Sequence, residues 1–177
     1  MRESGSRNQI TVIYPCQKVD KMKVSGQEKE VLTCWFGEKQ TLQVYTGDIT
    51  LLEKIDMIVC ADNANGISDG FLALQLQKLL GKTYVDAKKS KFKGRVRGDV
   101  VLCMVYQSRM KLRYVAHAVL FKKTDCKDEE DRRCKVKGIF TKILDEAFQH
   151  NCTSIAMPSL GSGKSYPCQT KYLISHI

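Results

Sequence analysis

Apolar positions along the chain switch between strand-like and helical spacing. Residues 31–36 and 42–45 are strand-like, with Gly37 in the turn between them. Residues 56–60 (DMIVC) form a short continuous apolar run, the pattern of a strand covered on both faces. The loop at 61–67 carries the turn formers Asn63, Asn65 and Gly66. Ser68 can then cap a helix over 68–80, with Leu72, Leu76, Leu79 and Leu80 on one face and Gly81 just past its end. Two further strands are predicted at 99–105 and 113–120. Residues 121–137 mix both charge signs and read as an exposed loop or helix entry. A second helix over 136–150 carries the stripe Ile139, Phe140, Ile143, Leu144, Ala147 and Phe148. A buried strand at 154–157, a glycine loop and a helix start near Pro167 complete the pattern.

Strands and helices alternating in this way predict a layered α/β domain. Before it, residues 1–9 read as disordered, 10–14 as an edge strand and 18–30 as a polar linker or exposed hairpin. The expected division is an N-terminal extension over 1–40, with edge strands and linker, and one domain over 41–177. The sequence stops at Ile177, soon after the last helix is expected to begin. That fits either a piece of a longer protein or a domain shortened in its last helix.

With 177 residues, 43% of them hydrophobic and 27% charged, the chain suits one globular domain. No apolar run is long enough to cross a bilayer, and the polar N-terminus has no signal-type apolar segment. The expectation is a cytosolic or nuclear protein with no membrane partner. Among the eight cysteines there is no C-x-x-C pair, and Cys126 and Cys134 are too far apart for a zinc knuckle. Cys60, Cys103 and Cys152 lie in or beside apolar runs, which favours reduced, packed thiols and no structural metal.

The formal charge of +10 points to anionic partners. Its densest stretch is 82–97, where Lys88, Lys89, Lys91, Lys93, Arg95 and Arg97 face the single Asp86. A solvated, mobile basic loop is the preferred reading, since only Tyr84 and Phe92 offer stacking surfaces there. The functional alternative is an electrostatic lure for RNA or another polyphosphate.

Ligands of α/β sheets bind at strand-to-helix loops. Two such loops follow buried strands here, one after Cys60 and one after Met157. In the second, Gly161 and Gly163 let backbone amides turn toward an anion, and a following helix N-terminus would add positive potential. A tight structural turn is the other reading. The run GSGKS is not a Walker A loop, because the glycine that motif needs earlier is Pro158.

Four segments occur in order: TGDIT from Thr46, DMIVCADN from Asp56, YVAHAV from Tyr114 and SIAMPSLGSG from Ser154. Together, over roughly residues 41–172, they resemble the macro domain family, most closely the macro domains of poly(ADP-ribose) polymerase-like proteins. The resemblance implies a three-layer α/β/α fold around a central mixed sheet, with ADP-ribose as ligand and no cofactor. It implies that Asp48 accepts from the adenine amino group, with the Ile49 amide nearby, and that Asn63 faces the distal ribose. Gly70, Leu160, Gly161, Ser162, Gly163, Lys164 and Tyr166 would line the phosphates and that ribose.

Several positions depart from the family's pattern. Its first asparagine is Cys60 here, and its glycine-rich stretch becomes Ser68, Asp69, Gly70 and Phe71. Asp69 adds a negative charge where a diphosphate would approach, and Phe71 adds bulk. The acidic residue of the hydrolytic members aligns with Ala73, which can neither orient nor deprotonate water. His117 reads as a buried structural histidine and Cys60 as packing. The leading expectation is a binder of ADP-ribose or ADP-ribosylated protein with no catalytic residue. The alternatives are a degenerate scaffold holding RNA or poly(ADP-ribose) on its basic surface, or a hydrolase using other residues such as Asn63 or Asp69.

Overall fold

The computed structural model describes residues 17–24, 26–36, 40–45, 47–67, 70–105, 112–158, 160 and 172–176. In chain order the strands are β1 (Gln17–Val24), β2 (Gln27–Phe36), β3 (Gln40–Tyr45), β4 (Met57–Asp62), β5 (Val100–Met104), β6 (Tyr114–Val119), β7 (Ser154–Pro158) and β8 (Tyr172–His176). The helices are α1 (Phe71–Phe92) and α2 (Glu129–Gln149). All the strands join one eight-stranded mixed sheet in the order β1-β2-β3-β8-β7-β4-β6-β5. Its centre, β7-β4-β6, is parallel, and every other pairing is antiparallel.

The apolar runs at β4 and β6 are buried because helices cover both faces. Side chains of a strand alternate between faces. Ile58, Cys60, Val115 and Val119 pack with Ala73, Leu76, Tyr84 and Phe92 of α1. The intervening Met57, Val59, Tyr114, Ala116 and Ala118 pack with Ile139, Ile143 and Ala147 of α2. The fold is therefore the expected α/β/α sandwich of three layers. No helix among the described residues is long and apolar enough to cross a membrane.

Both helices differ from their expected spans. Helix α1 starts at Phe71 behind the N-cap Gly70, which makes no side-chain capping bond; Ser68 lies outside the described residues. Gly81 leaves the helical region as its position past a helix end predicts, at φ 73° and ψ −169°. The chain then resumes as helix to Phe92, so the basic stretch is not a loop. Tyr84, Lys88 and Phe92, spaced i, i+4, i+8, all turn inward and are buried. Leu79, expected in the apolar stripe, is instead 54% exposed.

Helix α2 begins earlier than its apolar stripe, at Glu129. The Asp128 carboxylate accepts from the Asp131 amide at 2.8 Å, and Glu129, Glu130 and Asp131 fill the first turn, where carboxylates meet the helix's positive end. Its buried face is the narrow row Ile139, Ile143 and Ala147. Leu144 and Phe148, expected inside, are exposed.

The polar stretch at 18–30 is a hairpin, β1 against β2, with Gly26 at φ 79° in the turn. Residues 172–176, expected within the last helix, form strand β8 between β3 and β7. The strand expected at 10–14 and the helix start near Pro167 lie outside the described residues. At the far edge, β5 pairs among the described residues only with β6, and Lys91 donates its ammonium to the Leu102 carbonyl at 2.7 Å.

Candidate functional site

Because β4 and β7 are parallel neighbours, the loops after Asp62 and Pro158 open at one edge of the sheet. The first turn of α1 begins at that edge. Asp48 is tied to it through Gln75, whose amide donates to Asp48 Oδ2 at 3.4 Å. The fold thus gathers Asp48, Asn63, Gly70 and Leu160 around the carboxyl ends of the central strands. Gly161, Ser162, Gly163, Lys164 and Tyr166, and also Asp69, lie outside the described residues.

Asp48 and Asn63 are each held by local hydrogen bonds. Asp48 caps the short 3₁₀ turn Ile49–Leu51, its Oδ1 accepting from the Thr50 amide at 2.9 Å and the Thr50 hydroxyl at 2.7 Å. Ile49 is buried beneath it. Asn63 folds onto its own loop. Its Oδ1 accepts from the amides of Asn65 (3.0 Å) and Ile67 (3.3 Å), and its Nδ2 donates to the Ile67 carbonyl (3.0 Å). Gly66, at φ +65°, lets that loop lie on Phe92, for a Cβ there would sit 2.7 Å from the ring. Gly70 is exposed with open space around it. Phe71 is 75% exposed, so its bulk faces solvent rather than the core. Leu160 packs half-buried on the α2 side.

Under this loop lies a cluster that sequence reasoning recognised only in part. Asp62, at the end of β4, accepts on one oxygen from Lys88 Nζ (2.7 Å) and His117 Nδ1 (2.7 Å). A carboxylate only accepts, so Nδ1 carries the imidazole proton and Nε2 accepts from the Tyr84 hydroxyl at 2.9 Å. All four side chains are buried. The Phe92 ring meets His117 edge-on and lies 5.1 Å from the Lys88 ammonium. Burial lowers the His117 pKa, aided by Lys88 and opposed by Asp62. Burial, with Asp62, pushes the neighbouring Cys60 thiol far up.

His117 is therefore the buried, hydrogen-bonded histidine expected, and Cys60 a protonated core thiol. Tyr84, Lys88 and Phe92 sit on one helical face, and that spacing was the signal for the inward lysine. Donor atoms of Cys60, Asp62 and His117 lie within 4.8 Å of one another. The Lys88 ammonium already pairs with the carboxylate, and burial favours the protonated thiol, both of which weigh against a cation there.

The basic stretch is divided by the same geometry. Lys88 is internal, Lys91 holds the β5 edge and Arg97 pairs with Asp125 at 2.6 Å. Lys89, Lys93 and Arg95 face solvent.

Comparison with known proteins decides the family. The Macro domain family model matches residues 59–170. The chain belongs to the macro domain family. Solved macrodomains share its fold. One from Oceanobacillus iheyensis, a point mutant, aligns at TM-score 0.58 and 21% identity, over 69% of this chain and 66% of that one. The macrodomain of the same organism with ADP aligns at TM-score 0.58 and 17% identity, over 86% and 74%. The Trypanosoma brucei macrodomain in complex with ADP-ribose aligns at TM-score 0.55 and 25% identity, over 70% of this chain and 49% of that one. This macro domain thus spans between about half and three quarters of these macrodomain chains. A search of curated proteins finds no match. The comparisons do not single out the poly(ADP-ribose) polymerase-like subgroup.

Proposed function

We propose that this macro domain binds ADP-ribose, free or on a modified protein of the cytosol or nucleus, and does not hydrolyse it. The observation that carries the reading is that the carboxyl ends of the parallel strands β4 and β7 lie at one sheet edge, where the Asp48 turn bonds to the start of α1 through Gln75. Among the described residues Asp48 Oδ2 makes only the long bond to Gln75, which leaves capacity for the adenine amino group. The Trypanosoma brucei relative holds ADP-ribose, and the Oceanobacillus iheyensis relative holds ADP.

Asn63 joins such a site only by exchanging its bonds to Asn65 and Ile67 for bonds to the ribose, which lowers affinity. Against hydrolysis, Ala73 is an apolar core residue, Cys60 is a buried protonated thiol and both His117 nitrogens are engaged.

Calorimetry with ADP-ribose, ADP and AMP tests the proposal. A preference for ADP-ribose, lost in Asp48→Ala and Gly163→Glu, is expected. No preference at millimolar ligand overturns the binding role. Release of ADP-ribose from a modified protein, abolished by changing Asn63 or Asp69, would instead establish the hydrolase.

A further inference from the structure

The excess positive charge of this chain is unevenly neutralised. On α2, Arg132 and Arg133 reach Glu129, Lys135 reaches Asp131 and Lys142 approaches Asp99. Past Gly81, on the second half of α1, the pattern changes. Lys82, Lys89, Lys93 and Arg95 are all exposed, and among the described residues none of them has a carboxylate within ion-pair distance.

At about 100° per residue, Lys82, Lys89 and Lys93 fall within roughly 40° of one another, about 120° around the helix from the centre of the buried Tyr84, Lys88 and Phe92. They form a row with steps of about 10.5 and 6 Å along the axis. Asp86 lies within the row, one turn from both Lys82 and Lys89, and is the one acid of the helix; beyond the helix end, exposed Arg95 donates its Nε to the Lys91 carbonyl at 3.1 Å. The row ends beside the loop after β4, where Phe92 meets Gly66. Both aromatics of the stretch are turned into the core. This face therefore presents cations without a surface on which a base could stack.

A solvated helix face is the ordinary reading of such a row. The contrast with α2 argues for a ligand that supplies the missing negative charge at regular intervals. Single strands are usually gripped by aromatic stacking together with charge, whereas a duplex offers its phosphates outward and can be held by charge alone. We infer that the outer face of α1 beyond Gly81 binds the sugar-phosphate backbone of a nucleic-acid duplex, independently of sequence and apart from the loops after β4 and β7.

Fluorescence anisotropy of mixed-sequence duplex RNA and duplex DNA with the full chain tests this. Dissociation constants of the order of 10⁻⁶ to 10⁻⁴ M are expected at physiological salt, with affinity falling roughly 100-fold between 50 and 200 mM salt for four phosphate contacts. The triple change Lys82→Glu, Lys89→Glu, Lys93→Glu should lower affinity more than tenfold at low salt while the melting temperature stays within a few degrees. Asp86→Asn should raise affinity severalfold, a direction that damage to the fold cannot produce. The two duplexes separate an RNA from a DNA source, and binding of either supports the inference.

Saturating ADP-ribose should leave duplex binding unchanged, so the result is independent of the proposed ADP-ribose role. Salt-insensitive binding, indifference to both sets of substitutions or tighter binding of single strands would overturn the inference. Competition by free ADP-ribose would also overturn it, assigning the anion contacts to the loop site.

Discussion

Lys88 and Asp62 form an ion pair whose side chains are 2% and 1% exposed, so neither partner has water to fall back on. In Lys88→Met the aliphatic stem is largely kept and the charge is lost. The Asp62 carboxylate then remains buried with His117 Nδ1–H as its donor, and its other oxygen has no partner among the described residues. Removing one member of a buried pair costs about 3–5 kcal/mol. For a domain of this size that corresponds to a drop of roughly 6–20 °C in melting temperature.

Adding Asp62→Asn removes the second charge and leaves an amide oxygen to accept from His117. The double variant should therefore recover at least half of the deficit, since a neutral polar group is far cheaper to bury than a lone charge. A second signature separates this account from simple loss of packing. In the wild type, burial and Lys88 hold His117 below its ordinary pKa. Without Lys88, the imidazolium becomes the counter-ion available to Asp62. A histidine whose folded pKa is raised by its partner adds stability below its unfolded value, so the Lys88→Met deficit should shrink as pH falls below about 6.5. Urea titrations followed by circular dichroism at pH 5.5 and 8 measure both effects. A single variant within 1 kcal/mol of wild type, or a double variant worse than either single one, would refute the reasoning.

Three other outcomes follow from the geometry. Burial raises the Asp56 pKa, but its bonds from the Thr153 amide and hydroxyl and the nearby Arg113 outweigh that, leaving it lowered. Its stabilisation is present above the unfolded carboxylate value near 3.8 and is lost as pH falls through the lower folded value. Asp56→Asn should flatten that part of an acid-unfolding curve, and an unchanged curve would count against the assignment. Gly66→Ala places a Cβ 2.7 Å from Phe92 at φ +65°, which should cost about 2 kcal/mol from backbone strain and the clash. Phe92→Leu should relieve only the steric part, as thermal melts of the double variant would show. Exposed Cys134 should alkylate at pH 8 well before buried Cys60 and Cys103, whose thiols burial holds protonated. Peptide mapping by mass spectrometry would disprove this if the three labelled together.

What the sequence disclosed depended on whether a local pattern or a distant partner set the structure. β4, β6 and β7 were readable because a strand between two helical layers needs an unbroken apolar run. Gly81 was readable as a break, since glycine tolerates its left-handed φ, but not that helix resumes beyond it. The early start of α2 was encoded in Asp128 and the three acids after it, a capping signal hidden within a stretch of mixed charge. The strand at Tyr172–His176 forms between β3 and β7, two strands distant in sequence from one another, so no local pattern specified it. Lys88 counted as surface charge because the partner that draws it inward, Asp62, lies on another element. Asp62 ends a buried strand, and a carboxylate there calls for a buried cation. The loop at 61–67 was legible from its turn formers, but the bonds that occupy Asn63 depend on a turn geometry that spacing does not specify.

The bond from Lys91 to Leu102 gives one residue of the basic stretch a different task. Strand β5 is the last of the sheet and runs Val-Val-Leu-Cys-Met, with no charge of its own. Such a border, with carbonyls pointing outward, is a template on which another chain's strand can grow. An ammonium seated on the middle carbonyl removes one of the acceptors an incoming strand would need and repels its neighbours' positive charge. Neutralising Lys91 by acetylation should then leave the fold intact yet make concentrated solutions more prone to edge-to-edge assembly, a change that light scattering would register.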